Sequence, residues 1–184
     1  MIIQKKGLSP VVATVAVIML TLVAAGFIAG VVVPLIKNQL NDAKECFGYE
    51  EYFTFYEEFE YNCYINISTD WLHGVSIKAK AASGDKVEQV KGFNLQFMGS
   101  GESIAVTVEN GTAVRDEIRM LKLSKTFLEV PKQGEVKTYV YNGTRRFDSV
   151  EVFPLLKSGR VCEGTSKIDL RGERCHSSVD LEIL

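Results

Sequence analysis

Histidine is scarce in this chain, with only His73 and His176 among 184 residues, and the four cysteines form no C-x-x-C pair. A metal site built from Cys162, Cys175 and His176 is therefore disfavoured, and neither a metal nor any other cofactor is expected. No G-x-S-x-G, H-E-x-x-H, P-loop or G-x-G-x-x-G occurs, and Gly99-Ser100-Gly101 lacks the strand-to-helix context that glycine motifs require. His73, which follows Trp71-Leu72, reads as a strand-edge or turn residue, and Glu57 and Glu58 are neighbours in sequence without a reason to converge. No enzyme is expected. Excess positive charge is also missing: the formal net charge is −2, which disfavours a nucleic-acid partner. No internal repeat and no low-complexity linker is present.

Charge is absent altogether from Leu8 to Ile36, where the only polar side chains are Ser9, Thr14 and Thr21. As one helix this segment runs about 43 Å at ~1.5 Å per residue, against a hydrocarbon core of roughly 30 Å. It is long enough to span a membrane. Lys5 and Lys6 stand before it and Asp42 and Glu45 after it, so the positive-inside rule puts the chain beyond about Asn38 outside the cell. The segment exceeds the apolar core of a secretory signal, and its small residues Ala24, Ala25 and Gly26 lie in mid-span rather than at its end. Processing is therefore expected before the apolar run, at Gly7. Within the segment, Gly26 and Gly30 form a small-xxx-small pair suited to close helix packing. Pro34 is expected to kink or end the regular helix near its outer edge, with a short stalk resuming over residues 37–43.

Lys5-Lys6-Gly7 followed by Leu8-Ser9-Pro10-Val11-Val12-Ala13-Thr14-Val15 resembles the N-terminus of archaeal type IV pilins and their archaellin relatives. The resemblance covers about 25 residues, and Val12 stands where bacterial pilins carry a glutamate, which favours the archaeal branch. It implies a basic leader, residues 1–7, cut between Gly7 and Leu8 by a membrane prepilin peptidase. It further implies a helix and stalk over 8–45 that anchors the precursor and then forms the core of a filament. The implied function is that of a structural subunit of a type IV pilus-like surface filament, serving adhesion. Its implied partners are copies of itself or related pilins and the pilus assembly machinery, with the membrane as its location before assembly. The alternative is a single-pass anchored β-domain that binds a ligand and never polymerises.

Residues 46–184 have the size of one extracellular domain. All four cysteines, Cys46, Cys63, Cys162 and Cys175, fall in it, and an even number outside the cell suggests two disulfides. The local pairs Cys46 with Cys63 and Cys162 with Cys175 are expected, each closing a loop of fewer than 20 residues. Residues 49–64, YEEYFTFYEEFEYNCY, combine eight aromatics with five glutamates. They read as a strand pair or short helix with one aromatic face in the core, or else as a sticky acidic surface.

Period-two alternation then runs through Cys63, Ile65 and Ile67; Val75, Ile77 and Ala79; Phe93, Leu95 and Phe97; and Ile104, Val106 and Val108. Turns are expected at 83–85 and 99–101, and residues 113–123 fit either strand or helix. Further strands are expected at 127–130, 135–141, 149–153, 168–170 and 179–183. The whole reads as α+β: a long apolar N-terminal α-helix followed by an antiparallel, immunoglobulin-like β-sandwich. Asn66, Asn110 and Asn142 open N-x-[ST] sequons. The Asn-Gly pairs at 110 and 142 also suit two-residue hairpin turns, so both asparagines are expected on exposed turns.

Overall fold

The computed structural model describes residues 10–80, 86–121, 126–164, 166–172, 174 and 175. The leader positions Gly7 and Leu8, the turn at 83–85, the strand expected at 179–183 and His176 lie outside these residues. The chain divides into two units, Met1–Glu45 and Cys46–Leu184.

The first unit is helical. α1 (Pro10–Phe27) begins on a proline, whose fixed φ and missing N–H suit the first helical position. Pro34 acts one turn upstream of itself. It has no N–H to offer the Gly30 carbonyl, and its ring presses on that carbonyl. The backbone widens in response to a π-helical turn over Ile28–Val32, with the Val33 N–H donating to the Ile28 carbonyl. It then resumes as α2 (Val33–Cys46). The regular α-helix, expected to kink or end at Pro34, is thus interrupted by a π turn just before it and then continues.

The second unit is built on alternation. In chain order its elements are β1 (Phe53–Phe55), β2 (Cys63–Ile67), β3 (Asp70–Ala79), the single turn α3 (Lys86–Gln89), β4 (Val90–Gly99) and β5 (Glu102–Glu109). They are followed by β6 (Ile118–Met120), β7 (Val136–Gly143), β8 (Ser149–Leu156) and β9 (Ser166–Asp169). One sheet runs β1-β3-β7-β6, with β2 also on β3; the other runs β5-β4-β8-β9. All these pairings are antiparallel. The chain crosses between sheets after β3, β5 and β7, which is the Greek-key order of an immunoglobulin-like sandwich. The fold is α+β, with the apolar helix preceding two stacked sheets.

Residues two apart point the same way along a strand, so His73, Val75, Ile77 and Ala79 from β3 meet Phe93, Leu95 and Phe97 from β4 in one buried core. Rings lock the sheets together: Phe53 lies 4.8 Å from Phe93, Phe93 5.3 Å from Tyr139, and Phe97 4.4 Å from Tyr141. Burying such side chains stabilises the fold by about 1.5–3 kcal/mol each. The phenol of Tyr139 stays satisfied by donating to the Glu129 carbonyl at 2.6 Å. Gly92 sits at a bulge in β4, where a Cβ would come within 2.0 Å of the Val108 carbonyl oxygen.

The acidic aromatic segment divides: its two ends are buried, while Phe59 is exposed against the half-buried Tyr56 and Tyr61. Tyr49, Tyr52, Phe53 and Tyr64 are in the core, while Glu51, Glu57, Glu58 and Glu60 are exposed. Residues 56–62 loop out between β1 and β2. Asn62 closes the neck of this loop: its Nδ2 donates to the Tyr56 carbonyl at 2.7 Å and its Oδ1 accepts the Ser76 N–H at 2.7 Å.

Four expectations meet their outcome here: three are overturned, and the strand-or-helix choice at 113–123 is decided. The disulfides join Cys46 to Cys162 and Cys63 to Cys175, not the local pairs. The reason is directional: Cys46 and Cys162 belong with the main core, whereas Cys63 opens β2 on the outer face of its sheet, beside Leu72, Val140 and Cys175. Residues 127–130 form no regular strand. Phe127 makes one bridge to Ala113, and Leu128 N–H donates to the Thr112 carbonyl at 2.7 Å. The ambiguous stretch 113–123 contains β6, with Ile118 and Met120 buried, and not a helix.

The fourth is His73, which lies in mid-strand and fully buried rather than at an edge. Phe97, Tyr141 and Phe147 surround its ring at 5.5–6.0 Å, and its Nε2 accepts the Phe147 N–H at 2.9 Å. That bond assigns the proton to Nδ1, which has no partner in hydrogen-bonding geometry. Burial pushes the pKa down from 6.5 to about 4, and the Arg146 guanidinium pushes the same way. The backbone at Trp71 and Tyr141 acts against this.

A depressed folded-state pKa means that stability is full above about pH 6.5 and is lost as pH falls toward 4. The expected loss is about 3 kcal/mol. The carboxylates Glu51, Glu135 and Asp169, held low by bonds from Lys80, the Lys132 N–H and Arg171 respectively, lose their contribution only below about 4.5. Denaturant unfolding between pH 6.5 and 4.5 therefore isolates the histidine. His73→Gln should flatten this window, and a parallel decline in the variant would assign the pH dependence elsewhere.

Candidate functional site

Pro10–Lys37 is a helical stretch of 28 residues long and apolar enough to cross a membrane, and none of it is buried within the chain. Its few polar groups are satisfied locally: Thr14 Oγ1 donates to the Val11 carbonyl at 2.9 Å and Thr21 Oγ1 to the Ile18 carbonyl at 2.8 Å. Neither hydroxyl reaches an apolar surrounding unpaired, so the helix suits lipid or a bundle of like helices. Its length and composition are consistent with membrane anchoring.

Gly26 ends the α1 region and Gly30 falls in the π turn, and an added Cβ would meet nothing within 4 Å at either. Larger residues at both positions are therefore free of clash in the single chain, and leucine is the better helix former. Gly26→Leu with Gly30→Leu should leave helicity intact while weakening helix–helix association. If the chain builds filaments, unchanged filament yield and geometry would show the pair to be incidental.

The three sequon asparagines fall in different surroundings. Asn66 is exposed on β2, with Nδ2 at 3.4 Å from the Asp70 carbonyl. Asn110 is on an exposed turn before Gly111, whose φ is +80°, and its Oδ1 accepts the Val130 N–H at 3.3 Å. Asn142 is not on a turn: it belongs to β7, half-buried opposite Leu72 of β3. No two-residue hairpin is possible there, because β7 and β8 lie in different sheets. The hairpin of that kind is at Ser100-Gly101, both with positive φ (51° and 81°), between β4 and β5.

A concavity at one end of the β3–β7–β6 sheet escaped the sequence reading altogether. It gathers Asp70 from the start of β3, Arg115 and Asp116 from the segment before β6, Arg119 from β6 and Asn142 from β7. These residues are scattered over 70 positions, and the only signal was a sequon asparagine placed on the wrong kind of backbone.

No protein-family model matches the chain, and no curated protein matches it.

Proposed function

We propose that the chain is a pilin-like subunit of an extracellular, type IV pilus-like filament. The observation that supports this reading is the helix of Pro10–Lys37, apolar on all sides and without a buried residue, joined to a domain with a complete core of its own. A helix apolar all round belongs in a membrane or at the centre of a bundle. In this reading the basic leader is removed after Gly7, the helix anchors the precursor with residues 46–184 outside, and assembly transfers helices from lipid into a bundle. Lipid is as apolar as the bundle, so close packing and not water exclusion drives the transfer. Assembly machinery supplies the remaining work. Asn66 and Asn110 serve as glycan acceptors, since neither is buried, whereas the setting of Asn142 disfavours it.

N-terminal mass spectrometry on filaments sheared from cells and on the membrane fraction tests this. A chain beginning at Leu8 and enriched in the sheared material, with glycan mass at Asn66 or Asn110, is the expected result. A chain beginning at Met1 and confined to membranes would overturn the filament reading and leave an anchored binding domain.

A further inference from the structure

Ion pairs on the surface of the β-domain join Lys91 with Glu109 at 2.9 Å, Arg146 with Asp148 at 2.8 Å, Lys167 with Glu151 at 3.1 Å and Arg171 with Asp169 at 2.7 Å, besides Lys80 with Glu51 and Arg145 with Glu102. The concavity described above brings four charged side chains together. Two cations, Arg115 and Arg119, and two acids, Asp70 and Asp116, share a space of about 450 Å³, and among the described residues none of the four makes an ion pair.

Backbone bonds fix the segments that carry them. Arg115 and Ile118 exchange N–H to carbonyl bonds at 3.1 Å in both directions, the Asn142 N–H donates to the Glu117 carbonyl at 2.8 Å, and Arg119 sits opposite Val140 in the β6–β7 pairing. The Asn142 Oδ1 is buried at this place without a donor. An acceptor left so is destabilising by about 1–3 kcal/mol, and turning of the half-buried Asn142 side chain toward the concavity would let a bound donor relieve it. Leu72, buried, and Val114, half-buried, give the concavity apolar wall.

We propose that this concavity is a saccharide-binding site. Its two guanidinium groups offer donors, its two carboxylates and the Asn142 oxygen offer acceptors, and its formal charge is zero. A bare anion would face two acids and an orphan acceptor, and a metal cation would face two guanidinium groups. A sugar meets every requirement at once. Its vicinal hydroxyls both donate and accept, so a carboxylate and a guanidinium can each take two of them, and the C–H face of the ring covers Leu72 and Val114. The volume suits one or two hexose rings. The proposal concerns the β-domain alone and stands whether or not the chain polymerises.

The test is a titration of the isotope-labelled full chain, in micelles of the sugar-free detergent lauryldimethylamine oxide, with maltose, lactose and cellobiose. Glycine and inorganic phosphate serve as the zwitterionic and anionic comparisons. The expected result is saturable amide shifts confined to residues 67–72, 114–119 and 140–143 with at least one disaccharide at millimolar concentration. Arg115→Gln and Asp116→Asn, both at exposed positions, should each weaken binding at least tenfold without changing the melting temperature. Arg119→Gln should do the same from the half-buried side. No saturable shift with any of the three sugars, equal binding by the variants, or preferential binding of glycine or phosphate would each overturn the proposal.

Discussion

Serine at both Cys63 and Cys175 is expected to destabilise the β-domain by about 4 kcal/mol, lowering its melting temperature by roughly 10–15 °C. The magnitude follows from the crossed connectivity. Cys46–Cys162 and Cys63–Cys175 span 116 and 112 residues, and in the chain-entropy model either alone is worth about 5 kcal/mol. With one bridge already closed, the other closes only a short circuit of about 30 residues through it, worth about 3.5–4 kcal/mol. Losing one pair therefore costs less than losing the second afterwards. Losing both costs about 8 kcal/mol, comparable with the whole stability of an ordinary domain.

Local pairs would behave differently, each worth about 3 kcal/mol and strictly additive because their loops do not overlap. Denaturant unfolding of the two double-serine variants and of the reduced protein distinguishes the cases. Peptide mapping without reduction gives the direct answer, and a Cys46–Cys63 peptide would overturn the crossed arrangement.

That contrast shows what was legible in the sequence and what was not. The helix was legible because a long stretch without charge leaves few alternatives. β3, β4, β5, β7 and β8 were legible because every second residue of each faces the core between the sheets, which writes a period of two into Val75-Ile77, Leu95-Phe97 and Val106-Val108. The disulfide partners were not, because proximity in sequence says nothing about which face of a sheet a cysteine occupies. Cys46 and Cys63 are 17 positions apart, yet one joins the main core and the other the outer face of the β3 sheet.

Asn142-Gly143 misled for a related reason. Asn-Gly is a strong hairpin signal only when the two flanking strands share a sheet, and that depends on topology, which no local window carries. His73 was misplaced because a neutral imidazole packs as an aromatic once its Nε2 has a backbone donor. The Phe147 N–H supplies that donor from 74 residues away. The proposed binding concavity is the extreme case, since each of its polar residues is ordinary in its own segment and only the Greek key brings them together.

Gly7→Trp is expected to abolish filaments while leaving the protein in the membrane. In the pilin reading the peptidase needs a small residue before the cut, so a bulky one keeps Lys5 and Lys6 on the chain. Those two cations are harmless while they sit at the cytoplasmic face of the bilayer, where positive charge is favoured. They become an obstacle when the helix must leave lipid for an apolar bundle, since a lysine carried into apolar surroundings is unfavourable by about 2.5–3.5 kcal/mol on insertion scales. Two such costs exceed what close packing of uncharged helices returns at individual contacts, about 1–2 kcal/mol even for an interhelical hydrogen bond. The uncut chain should therefore be trapped as an anchored monomer. Immunoblots of sheared and membrane fractions should show the variant only in the membrane, at a mass that retains the seven leader residues. Because the disulfide-bonded domain is far from the substitution in sequence and folds around its own core, its melting temperature should not change. Sheared filaments of ordinary yield, built from chains that still begin at Met1, would sink both the leader assignment and the account of the helix as a processed assembly element.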